Sequence, residues 1–125
     1  MARIKEIVID ARHPAALARF WAGVLTGYAV RDYDVAEIER LASLGFTTET
    51  DPTVMVDGPG PSLCFQRVEA LATKGRLHLD IVGESLAKEV ARLSTLGATV
   101  RDEHSDFTVM LDPEGNAFCV QAPRS

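Results

Sequence analysis

Two stretches of the chain, fifty-five residues apart, are near copies: TVMVDGPGPSLCFQ (Thr53 to Gln66) and TVMLDPEGNAFCVQ (Thr108 to Gln121) agree at seven matched positions. The shared residues are Thr, Val, Met, Asp, Gly, Cys and Gln. Two copies are too few to stack as a solenoid, so the repeat predicts two equivalent supersecondary units. Residues at matched positions are then expected to face one another across a shared surface, where a ligand would sit.

The length and composition narrow the choices further. At 125 residues and 46% hydrophobic, the chain suits a single domain, 1–125, able to bury roughly two-thirds of its unfolded surface. A net charge of −5 and the lack of a Lys/Arg cluster leave no footprint for a phosphate backbone, so nucleic acid is not an expected partner. The N-terminus MARIKEIVID alternates polar and apolar residues, and no run reaches the ~20 apolar residues of a spanning helix. A cytoplasmic protein without membrane contact is expected. Two cysteines without a secretory signal point to reduced thiols.

Periodicity then orders the elements. Arg3 to Asp10 alternates as a half-buried strand. A helix follows from Pro14, with Leu17, Phe20, Trp21, Val24 and Leu25 as its packing face and Gly27 as its left-handed stop. Tyr28 to Arg31 begins a strand, and Asp34 with Glu37 reads as a capping box opening a helix to Gly45. Strands at Thr53–Val56 and Ser62–Val68 close the first unit, about residues 3–69. After the connector Glu69–Gly75, the second unit, about residues 76–122, repeats the order. It has a strand at Leu77–Val82, a helix carrying Leu86, Val90, Leu93 and Leu96, a stop at Gly97, and strands at Ala98–Arg101, Phe107–Leu111 and Ala117–Gln121. Each half reads βαβββ, and neither buries both faces of its small sheet alone. The predicted fold is α+β, two βαβββ modules forming a curved mixed sheet with helices on the convex face.

This order, with the helix LARFWAGVLTGY, the turn DPEGN and the strand starts EIVID and HLDIV, resembles the vicinal oxygen chelate superfamily. That superfamily includes glyoxalase I, bleomycin-resistance proteins and extradiol dioxygenases, and its small glyoxalase-like branch is the nearest in pattern. In its metal-dependent members four ligands lie on the concave face, at the first and last strands of each module. Carried over by motif, those places are Glu6, Cys64, His78 and Cys119, of which His78 alone is the customary residue. Both last-strand places, usually Glu, are Cys.

Alternation sets Glu6, Val8, Asp10, Cys64, Gln66, His78, Asp80, Cys119 and Gln121 on one face, opposite Ile7, Ile9, Leu63, Phe65, Leu79, Ile81, Phe118 and Val120. Glu6 and His78 are the candidate acid/base groups, His78 being able to titrate near neutrality. Cys64, Gln66, Asp80, Cys119 and Gln121 are candidate ligand-binding residues, the glutamines because an amide both donates and accepts. With the carboxylates replaced, no cofactor is expected. The alternative is zinc on Glu6, Cys64, His78 and Cys119, a set that a tetrahedral N/O/S site tolerates. Met55 and Met110 are expected on the cavity floor or in the core, and Asp57 and Asp112 as caps of their own turns. His13 and His104 are expected in solvent.

The resulting functional expectation is recognition of a small, partly apolar molecule in the concave face, as in bleomycin-resistance relatives. The alternative is a metal-dependent lyase or isomerase. A third class, a structural partner in an assembly, would need that face filled by side chains. The resemblance also implies a homodimer. The helix at Asp34–Gly45, without a counterpart in the second unit, offers Ile38 and Leu41 either as a lid or as packing.

Overall fold

A computed structural model describes residues 1–73 and 75–123. Lys74, within the expected connector, and the last two residues lie outside the described residues. The chain divides into two compact units: a contiguous one, Val8–Arg76, and a composite one made of Met1–Ile7 with Leu77–Ser125.

Strand β1 (Arg3–Ala11) starts in the composite unit and ends in the contiguous one. It is followed by α1 (Pro14–Val24), β2 (Ala29–Val30), α2 (Val35–Ser43), β3 (Thr53–Asp57) and β4 (Ser62–Arg67). The composite unit continues with β5 (Leu77–Val82), α3 (Leu86–Thr95), β6 (Thr99–Glu103), β7 (Phe107–Leu111) and β8 (Ala117–Gln121). Strand order is β2-β3-β4-β1 in one unit and β6-β7-β8-β5 in the other. In each, the last strand returns beside the first, so βαβββ occurs twice. The parallel β5–β8 pair among antiparallel neighbours makes the sheet mixed and the fold α+β.

Helix α1 starts on Pro14, whose fixed φ suits the first turn, and its buried residues are Pro14, Ala15 and Ala18. These small side chains seat it on β2, β3 and β4. The expected packing face is therefore corrected. Phe20 and Val24 are exposed, and Phe20 instead meets Trp21 edge-on at 5.3 Å between ring centroids. The helix stops at Val24 because Leu25 is already extended, and the left-handed turn at Gly27 (φ +80°) comes two residues later.

Helix α2 is capped by the Asp34 side chain, which accepts from the Glu37 backbone N–H at 2.7 Å. The reciprocal half of the capping box is missing, since the Glu37 carboxylate pairs with Arg40 at 2.6 Å. Leu41 is buried while Ile38 is exposed, so the two do not form one free apolar face. Burying Leu41 stabilises the contiguous unit by about 1.5–3 kcal/mol, which ties α2 to packing.

In the composite unit α3 packs on β8, β7 and β6 and makes no comparable contact with β5 among the described residues. That footprint inverts the expected burial of β5. Its alternation holds, but Asp80 is 6% exposed and Val82 is buried, whereas Leu77 is 60% and Leu79 39% exposed. The apolar side of this strand is thus open, and the side carrying His78 and Asp80 is the sheltered one.

The two hairpins also differ. In the first, Met55 pairs with Cys64 and Val54 with Phe65; in the second, Val109 pairs with Cys119 and Met110 with Phe118. Directly paired residues share a face, so Met55 lies on the side of Cys64, while Met110 lies opposite Cys119. Met110 is fully buried, so of the two places expected for the methionines, cavity floor or core, it takes the core. A one-residue change of register moves a side chain to the other face.

Candidate functional site

Four of the residues singled out in sequence meet in the composite unit. His78 and Asp80 alternate onto one face of β5, and the parallel register sets Asp80 beside Cys119 on β8. One ligating atom from each of His78, Asp80 and Cys119 lies within 4.8 Å of the other two. Asp80 Oδ2 accepts from Gln121 Nε2 at 3.1 Å, and Gln121 Oε1 accepts from Lys5 Nζ at 2.7 Å. Lys5, Gln121, Asp80, His78 and Cys119 therefore form one polar chain.

Asp80 is the tense member of that chain. Its Oδ1 lies 3.3 Å from His78 Nε2, close enough for charge attraction but outside hydrogen-bond geometry, and it has no hydrogen-bond partner among the described residues. A buried carboxylate oxygen in that condition is costly unless a cation or donor faces it. The adjacent Asp80 carboxylate, seconded by the Cys119 side chain and only partly opposed by burial, raises the His78 pKa to about 10.

The other candidates lie elsewhere. Glu6 is half-buried in β1 of the same unit and is not one of the three clustered residues. Cys64 and Gln66 belong to the contiguous unit, Cys64 buried and Gln66 donating to Asp10 Oδ1 at 3.2 Å. Neither cysteine is in a disulfide. His13 and His104 are exposed as expected, although His104 stacks on Phe107 at 4.3 Å. Asp112 caps its turn, accepting from the Glu114 and Asn116 backbone N–H groups. Asp57 does not, being committed to Arg31 and the Ser62 hydroxyl.

A cavity of about 720 Å³ opens in the composite unit, lined by Arg3, Lys5, Val82, Asp106, Phe107, Gln121, Ala122 and Pro123. Its volume is that of a small-ligand site. Gln121 joins it to the His78 cluster. Sequence reasoning identified Gln121 here but missed Arg3 and Lys5, whose spacing of two at the start of a strand was the available signal. The contiguous unit has its own cavity of about 480 Å³, bordered by Arg31, Tyr33, Glu37, Arg40, Asp51 and Met55. Both of its arginines are paired, Arg31 with Asp57 and Arg40 with Glu37, its buried Asp51 accepts from the Tyr33 hydroxyl and the Thr53 backbone N–H, and Asp32 and Asp34 add further acids to its border. Burial, with Asp51 beside the hydroxyl, pushes the Tyr33 pKa up.

A glyoxalase-like domain family matches residues 6–121. The chain belongs to the glyoxalase-like domain family. No curated protein matches the sequence closely enough to count as a relative. Among solved structures it is similar to a glyoxalase/bleomycin resistance protein/dioxygenase superfamily member from Vibrio splendidus 12B01. Identity is 11% and the TM-score 0.55, with 98% of this chain and 100% of that one covered. It is also similar to an NAD-dependent benzaldehyde dehydrogenase from Legionella pneumophila, at 11% identity and TM-score 0.63, covering 95% and 98%. A third likeness is to the 2,3-dioxygenase LapB from Pseudomonas sp. KL28, at 16% identity and TM-score 0.55, where 98% of this chain spans 43% of that one. These likenesses carry the vicinal oxygen chelate fold and leave the chemistry to be argued from the residues.

Metal-dependent relatives in this superfamily raise the question of an ion. An imidazole nitrogen, a thiol sulfur and a carboxylate oxygen within 4.8 Å are a donor set that fits a zinc-like cation better than a hard one. Bound there by His78, Asp80 and Cys119, such an ion would supply Lewis-acid polarisation of a ligand oxygen. Binding would require His78 to release the proton that Asp80 holds on it.

Proposed function

We propose that this glyoxalase-like protein binds a small, partly apolar molecule in the composite unit's cavity, without the usual metal centre. The observation that carries the reading is the cavity itself, which combines Phe107, Val82 and Pro123 with polar groups tied through Gln121 to the sheltered His78–Asp80 pair. Apolar walls with a few fixed polar groups are the ordinary composition of a ligand site. Cysteine at both last-strand ligand places supports the absence of a resident metal. Sequestration, as in bleomycin-resistance proteins, needs nothing more.

The second reading is a lyase or isomerase with an altered zinc site, for which the family resemblance implies Glu6, Cys64, His78 and Cys119. The clustering of one ligating atom each from His78, Asp80 and Cys119 within 4.8 Å favours it. Metal analysis of protein purified without a polyhistidine tag separates the two. Well under one equivalent of zinc is expected, and stoichiometric zinc that survives dialysis and is lost in His78→Ala would install the second reading instead.

The reading includes a symmetric homodimer in the cytoplasm. Exposed Leu77 and Leu79 on β5, with Ile4 also exposed on β1, offer the apolar surface that a second copy would cover. No helix among the described residues is long and apolar enough to cross a membrane. A concentration-independent monomer in sedimentation would remove the dimer from this account.

A further inference from the structure

Resting on the small-molecule reading of the composite cavity, the geometry points to an occupant of one class: an organic acid carrying a single negative charge on an apolar body. Its carboxylate engages Arg3 and Lys5, and its body lies against Phe107, Val82 and Pro123.

Charge is the first argument. The chain as a whole carries −5, yet among the described residues this cavity is lined by two cations, Arg3 and Lys5, against one carboxylate, Asp106. Neither cation has a carboxylate partner among the described residues, whereas Arg31 and Arg40 beside the other cavity are both paired with acids. A local excess of one positive charge on an acidic protein selects a monoanion. A neutral ligand leaves the cations to water, and a dianion sets its second charge against Asp106.

Position is the second argument. Arg3 and Lys5 are two residues apart on β1 and so project to the same side of an extended strand. The Lys5 ammonium has three donors and uses one of them on Gln121 Oε1 at 2.7 Å. The Gln121 amide is held at its other end by Asp80 at 3.1 Å, which fixes Lys5 at the cavity wall. Phe107 is backed by the stacked His104 ring at 4.3 Å, giving a rigid apolar platform next to the cations.

Three probes of one shape test this: benzoate, benzamide and phenyl phosphate, titrated into the full chain near neutral pH and low salt while amide chemical shifts are followed. Benzoate is expected to shift Lys5, Phe107, Gln121 and Ala122 and to bind roughly tenfold tighter than benzamide, with phenyl phosphate weaker than benzoate. Lys5→Gln and Arg3→Gln should each weaken benzoate several-fold and leave benzamide unchanged, and Lys5→Arg should restore binding. The spectra themselves show whether the variants are folded. Equal affinity for benzoate and benzamide at these amides would overturn the anion while leaving the small-molecule site in place. Phenyl phosphate binding tighter than benzoate would overturn the single charge. No shift at these amides with any of the three would remove both the inference and the site on which it rests.

Discussion

The hairpins β3–β4 and β7–β8 come from sequences that align without a gap, yet they pair out of step. In the first, Asp57 and Ser62 flank a four-residue loop and the pairing continues through Met55 and Cys64. In the second, Asp112 closes on Asn116 across a three-residue turn, and Cys119 meets Val109. The two aligned glycines show the cause. A Cβ on Gly60 would lie 2.6 Å from the Tyr28 hydroxyl, and one on Gly58 2.4 Å from the Tyr28 ring, so the first loop is folded over an aromatic side chain. Gly115 touches nothing and is needed for its φ of +88°. Duplicated residues thus keep their identity while their work diverges, because a loop's contacts, and not its length alone, set the register that decides which face each side chain serves.

The methionines give the largest test of that divergence. Met110→Ala is expected to cost about 2–5 kcal/mol as a buried deletion, and Met55→Ala less than half as much, since Met55 lies on the half-sheltered face. Denaturant unfolding of the two variants checks it, and equal losses would mean that the registers are the same. The glycines come next. Gly58→Ala should lose about 1–3 kcal/mol by overpacking against Tyr28 and regain part of it in the Tyr28→Ala background. Gly115→Ala should lose about 1 kcal/mol through its left-handed backbone alone, with no rescue from that partner.

A separate, pH-dependent effect concerns protons. His78 is raised from 6.5 to about 10 by Asp80, and its motif equivalent at the first strand of the first repeat is an acid, Glu6, not a histidine. A group with a raised folded pKa contributes stability that is fully present below about pH 6.5 and is lost as pH rises through about 10. Stability should therefore decline over that window, and Asp80→Asn should flatten the decline and bring the His78 imidazole titration, followed by NMR, back toward 6.5. An imidazole that titrates near 6.5 in the unaltered protein would break the coupling.

Much of this was legible in sequence, and the illegible part has identifiable causes. Repetition and period-2 alternation gave the βαβββ order and put His78, Asp80, Cys119 and Gln121 on one face, because those patterns are local. The burial of β5 was not legible, since its sense depends on where α3 lands, and α3 leaves Leu77 and Leu79 uncovered. The packing face of α1 was misread for a related reason. Large apolar residues at helical spacing drew attention, but Ala15 and Ala18 make the close contact. The cations of the composite cavity escaped notice because Lys5 and its partner Gln121 are 116 residues apart, and no local pattern links them.

That separation bears on how the molecule is made. The contiguous unit, Val8–Arg76, is complete in an unbroken run of chain, whereas the composite unit needs Met1–Ile7 together with Leu77 onward. On the ribosome, where chains emerge from the N-terminus, the contiguous unit has all its strands in hand while Arg3 and Lys5 wait for residues made much later. Closing a loop of that length is a slow, entropically expensive event. The segment that supplies the cations of the ligand cavity thus leaves the tunnel well before the residues it pairs with, so the binding site is assembled only after Gln121 has followed it out.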